Sequence, residues 1–157
     1  TEAKPSPGQR IEISEDEFEA TLEMSANFAN SSELVQALHS GPKVKGQPRA
    51  QYEFTDGSRG DVYRAILLAI TDNPIARDFT YDDLYGRVKR VCVKESPTGQ
   101  SISNSLNHMC AIAESMSPDQ IIMEWDDANL HIADPYLAFY MRASSKIEQL
   151  KPKPQLP

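Results

Sequence analysis

The residues best placed to do chemistry in this chain are amides. Gln100, Asn104 and Asn107, with Ser101 beside them, fall on one outer face of a predicted helix over TGQSISNSLNHMCAIAES. Asn and Gln side chains can bind the adenine edge bidentately, and a helix-turn-helix protein presents them from the outer face of its recognition helix. A second set is cationic. Arg87, Lys89, Arg90 and Lys94 lie in RVKRVCVK, which holds four bases and no acid, and such residues can hold phosphates. Against these stand Asp126 and Asp127, an acidic pair where a hairpin tip is expected, which would repel a phosphate backbone.

Signatures of catalysis are absent from the sequence. There is no G-x-x-x-x-G-K-[ST] to cradle nucleotide phosphates, no G-x-S-x-G and no H-E-x-x-H. The pairs Asp82/Asp83 and Asp126/Asp127 read more simply as a helix cap and a turn than as acid–base dyads. His39, His108 and His131 are isolated and no C-x-x-C occurs, so neither a metal nor another cofactor is expected. Cys92 and Cys110 sit in apolar patterns and read as reduced core residues of an intracellular protein. On these grounds the chain is expected not to be an enzyme.

The elements that must position these residues follow from periodicity and caps. Ser14-Glu15-Asp16-Glu17 is a capping box opening a helix with Phe18, Leu22 and Met24 as apolar positions, continuing toward Phe28. Asn30 or Ser31 reads as the cap of a second helix carrying Leu34, Val35 and Leu38 and stopping at Gly41. A basic Pro/Gly loop, GPKVKGQPRAQ, follows. Ser58, with Asp61 three residues on, is expected to cap a helix from about Gly60 to Ile70, which Asn73-Pro74 ends. Phe79 marks a short strand. Thr80 caps a helix that buries Leu84, Val88 and Val91 and exposes Arg87 and Arg90. In the third helix Ile102, Leu106, Met109, Cys110 and Ala113 form one buried stripe. Ile121-Ile122-Met123 and Leu130-His131-Ile132 then flank the turn-prone DDAN as a hairpin. His131 is expected at its core or edge. Asp134-Pro135 starts a final helix through Leu150, and Trp125, Tyr136, Phe139 and Tyr140 are expected in the core between hairpin and last helix, the alternative being that an exposed subset forms an interaction patch.

The net charge of −7 argues against indiscriminate nucleic-acid binding, but it is uneven. Residues 1–40 hold eight acids and two bases, most of the excess. No apolar run approaches the roughly 18–20 residues a membrane span needs, and the N-terminus lacks the apolar centre of a signal peptide.

The order helix, strand, helix, helix, hairpin, helix predicts an α+β, mainly α, winged helix: a three-helix core, a two-stranded wing and a C-terminal helix, preceded by a short helical segment. Residues 1–51 are expected to be a flexible terminus, helical segment and basic linker, 52–150 the winged-helix domain, and 151–157 a disordered tail. The segment from Asp61 to Arg142 resembles the C-terminal winged-helix domain of origin-recognition-complex-like and STAND-type AAA+ ATPases. DVYRAILLAI, FTYDDLYGRV, ISNSLNHMCAIAES and above all LHIADPYLAFYMR carry the likeness, and IEISEDEFEATLEM resembles the lid helix preceding that domain. The resemblance implies no catalytic residue in this chain, because the family's nucleotide site lies in an upstream module. It implies duplex DNA or the ATPase module as partner, with Gln100, Ser101, Asn104 and Asn107 facing the DNA. A protein-interaction adaptor and a free-standing transcription regulator, which would need Ser14–Ser40 to dimerise, are the rival expectations.

Overall fold

The computed structural model describes residues 12–151. The flexible N-terminus expected for residues 1–10, and all but the first residue of the expected tail, lie outside them.

One helix forms where two were expected: α1, Glu15–Ser40. Its capping box is complete, with the Ser14 hydroxyl accepting from the Glu17 N–H and the Glu17 carboxylate accepting from the Ser14 N–H. No Gly or Pro interrupts the following residues. Ser31, an expected cap, instead lies buried on the same face as Leu34, Val35 and Leu38. Gly41 ends the helix at φ 63°, and a Cβ there would lie 2.7 Å from the Tyr63 ring, so only glycine suits the position.

After the basic loop, β1 (Tyr52–Glu53) and β2 (Arg59–Gly60) pair around Asp56-Gly57, a hairpin unforeseen despite its Asp-Gly signal. A bridge between Phe54 and Cys92 ties it to the chain leaving the helix at Val91. Helix α2 (Val62–Thr71) is the central element, buried from Val62 to Leu67. Its cap is Asp61, which accepts from the N–H groups of Tyr63 and Arg64, and not the expected Ser58. Ser58 is occupied instead by Asp56 and Arg64. Then come β3 (Asp78–Thr80), α3 (Tyr81–Val91) and α4 (Gly99–Met116), the two helices capped by Thr80 and Thr98.

The hairpin β4 (Met123–Trp125) and β5 (Asn129–Ile132) joins β3 in an antiparallel three-stranded sheet of order β3-β5-β4, so β5 is central. Its register pairs Phe79 with Leu130 and Met123 with Ile132, placing one apolar row against the helices. Ile66, Leu67, Leu84, Val88, Leu106, Met109, Leu130 and Ile132 share one buried cluster with Leu34, Val35 and Leu38 of α1. Each such side chain contributes about 1.5–3 kcal/mol of burial, so the end of α1 belongs to the same core as the helices and sheet.

The expected final helix is two: α5 (Pro135–Ala143), capped by Asp134, and α6 (Lys146–Gln149). At the break the Ser144 hydroxyl accepts from the Lys146 N–H, a local bond that competes with the helical ladder. The aromatic core expected beneath α5 does not form. Tyr136 and Phe139 are exposed, and Trp125 and Tyr140 only half-buried, because Leu137 and Met141 are the side chains α5 turns inward. The whole is mainly helical α+β, and no helix among the described residues is long and apolar enough to cross a membrane.

Candidate functional site

Helix α4 is held by its buried stripe, Ile102, Leu106, Met109 and Ala113, and this fixes what its other face shows. Gln100, Asn104 and Asn107 are exposed together, and the Gln100 amide donates to the Asn104 carbonyl oxygen at 2.9 Å. Ser101 is half-buried beside the Thr98 cap, which takes its N–H. Three of the four expected base-facing residues therefore project outward. No cation stands among them: α4 contains no Lys or Arg, and His108 is tied to the Tyr63 hydroxyl at 3.0 Å.

The expected phosphate contacts scatter. Arg87, expected at the surface of α3, is buried, its side chain 3% exposed. Its guanidinium donates to the carbonyls of Asp72 and Pro74, both at 2.8 Å, pairs with Asp83 and lies over the Phe79 ring. The reason lies in the loop between α2 and β3, which turns back over α3 and presents carbonyls that only a long fork of donors can satisfy. Arg90 serves the same loop, meeting the Asp72 carboxylate at 2.7 Å and the Asn73 carbonyl at 3.0 Å. Lys89 lies over the Tyr85 ring and Lys94 lines a cleft beside β1 and β2 with Glu53 and Glu95. The four cations thus form no single row facing α4.

At the hairpin tip the Asp126 carboxylate accepts from the N–H groups of Asn129 and Ala128, which holds its pKa below the ordinary carboxylate value. Asp127 adopts φ 68°. The tip is therefore an anionic, internally bonded turn. On β5, His131 sits between Asp78 and Glu124 of the flanking strands and bonds Asp78.

A cleft of about 350 Å³ lies between α4 and the hairpin, lined by Cys110, Glu114, Ile122 and Glu124 among others. Burial, then Glu124, push the Cys110 thiol up to about 11, so it stays protonated at neutral pH and is a poor nucleophile. Among the described residues no three His, Cys, Asp or Glu side chains gather as metal ligands.

Two features escaped sequence reasoning. One is Arg64, wholly buried in α2, whose type reads as a surface residue. The other is the solvent exposure of Phe18, Leu22 and Met24 on α1. For the second a signal existed: Phe18 and Leu22 at i, i+4 beside Glu15, Glu19 and Glu23. Comparison of the chain with family models, with characterised proteins and with solved structures finds no match, so its function must be argued from the residues and their geometry.

Proposed function

We propose that this chain is a non-catalytic winged-helix module that works by docking on protein, the AAA+ ATPase core implied by its resemblance being one such surface. The winged-helix reading is supported by the order α2, β3, α3, α4, β4, β5 and by the β3-β5-β4 sheet, in which the first strand pairs with the last. The docking reading is carried by one observation: Arg87, the first of the expected phosphate contacts, is sealed into the fold with its donors on Asp72 and Pro74. With Arg90 held on the same loop, only Lys89 and Lys94 of the four expected phosphate contacts stay outside it, α4 carries no Lys or Arg and the hairpin tip is acidic, which disfavours a phosphate backbone there.

Weak duplex binding through α4 is the second reading, favoured by the outward Gln100, Asn104 and Asn107. Binding of a generic 20-base-pair duplex, followed by anisotropy over a salt series, decides between them. Docking predicts no complex at about 150 mM salt and a slope of at most one or two cations at lower salt. A complex that persists at that salt, with a slope of several cations and sensitivity to Asn104→Ala, overturns the docking reading.

A further inference from the structure

We infer that the outer half of α1 and the adjoining face of α5 form a docking surface for a partner protein presenting an apolar strip rimmed by lysine or arginine. The inference rests on the docking reading and names its surface.

Helix α1 outreaches the body it packs against. Its buried residues begin at Ser31, so the turns from Glu15 to Asn30, about 24 Å of helix, bury no side chain fully. Phe18 and Leu22 are each 53% exposed there. With Ser25 and Ala29 they fall at i, i+4, i+7 and i+11, one continuous stripe. The two hydroxyls near this stripe are turned inward on the helix: Thr21 donates to the Glu17 carbonyl and Ser25 to the Thr21 carbonyl, each at 2.8 Å. A partner covering them strands no donor. On the flank of α1 opposite the glutamates, Phe28 stacks on Phe139 of α5 at 6.0 Å between ring centroids, and Phe139 itself remains 58% exposed.

Charge selects the occupant. Glu15, Glu19 and Glu23 run along one flank at i, i+4 and i+8, and residues 12–40 contain no Lys or Arg to offset them. Like charges at that spacing weaken the helix, and a cationic rim would relieve them. A second copy docked arm to arm would set one acidic row against another. Nucleic acid and an anionic bilayer carry the wrong charge.

The test uses the full chain and two labelled synthetic helical peptides with the same leucine stripe, one flanked by lysines and one by glutamates, compared at 150 mM salt. The lysine peptide should bind at least tenfold more tightly. Phe18→Ser with Leu22→Ser should weaken it tenfold or more while leaving the thermal midpoint nearly unchanged, since neither side chain is in the core. Glu15→Lys, Glu19→Lys and Glu23→Lys together should reverse the preference. Equal binding of the two peptides, or lysine-peptide binding indifferent to the Phe18/Leu22 change, overturns the inference. So does self-association in sedimentation that this change abolishes. Those results remove this surface alone, whereas a salt-resistant duplex complex removes the docking reading beneath it.

Discussion

Arg64 Nη1 donates to the carbonyl oxygen of Ile147 at 3.0 Å, a contact that closes 83 residues of chain. The same guanidinium reaches the Ser58 hydroxyl at 3.0 Å, His39 Nε2 at 3.2 Å and the Asp56 carboxylate at 3.4 Å. One wholly buried cation in α2 therefore joins the end of α1, the β1–β2 turn and α6. Gly60 makes this possible, because a Cβ there would lie 2.5 Å from Arg64 Cδ.

Removing that cation should be among the costliest single changes in the protein. Arg64→Leu leaves the Ile147 carbonyl, the Ser58 hydroxyl oxygen and His39 Nε2 without their donor, and Asp56 with only its bonds from Ser58, and a loss of about 3–5 kcal/mol is expected from urea unfolding. Arg64→Lys should recover only part of it, because an ammonium cannot span the same directions. A cost below 1 kcal/mol for Arg64→Leu would refute the role given to this node.

Arg87 should behave as a structural residue. Arg87→Ala orphans two carbonyls, those of Asp72 and Pro74, and is expected to cost about 3 kcal/mol. Lys89→Ala and Lys94→Ala, at the surface, should each stay within about 0.5 kcal/mol. Comparable losses for all three in chemical denaturation would contradict the burial of Arg87.

His39 should make stability fall with acid. Arginine cannot accept a hydrogen bond, so His39 Nε2 accepts from Arg64 and the ring is neutral. Burial, and then the Arg64 charge, lower its pKa from the ordinary 6.5, with Asp61 opposing. The unfolded chain then binds the proton more readily than the folded one. The stability contributed by this group is present above 6.5 and is lost as pH falls from there through the folded value. The urea midpoint should drop between pH 7.5 and 5.5, and His39→Gln, which can still accept from Arg64, should flatten the slope. An unchanged slope in that variant would reject the assignment.

Cys110 should resist alkylation. With its thiol pushed up to about 11, only about one molecule in a thousand carries the thiolate at pH 8. Cys92 is buried and its pKa is raised by that burial. Iodoacetamide should label the native protein very slowly and both thiols in urea, counted by mass spectrometry. Rapid native labelling at Cys110 would show that the cleft beside it is more polar than its geometry implies.

Local signals were legible from the residues alone. The Ser14, Thr80 and Asp134 caps, the apolar stripe of α4, the strand at Phe79 and the hairpin about DDAN each depend on neighbours within one or two turns, and all formed, except that Cys110, expected on the buried stripe, is only half-buried at its edge beside the cleft. The outward amides of α4 followed from the same periodicity. The single long α1 was misread because Ser31 carries a capping side chain, while its neighbours across space made burial on the core face the better outcome.

What only the tertiary structure decided is which charged and aromatic side chains face water. Arg64 and Arg87 have the composition of surface residues, yet carbonyls brought in from 83 and 15 residues away turn them inward. Phe139 has the composition of a core residue, yet it lies outward because Leu137 and Met141 occupy the inner face of α5. Sequence by itself determined α2, α3 and α4, the Ser14, Thr80 and Asp134 caps, the hairpin about DDAN and the acidic character of α1, since these are set by short-range propensity and by charge, which folding does not alter. The scattering of the α3 cations and the exposure of the α1 arm come from long-range packing, because a side chain's surroundings depend on residues that no local pattern contains.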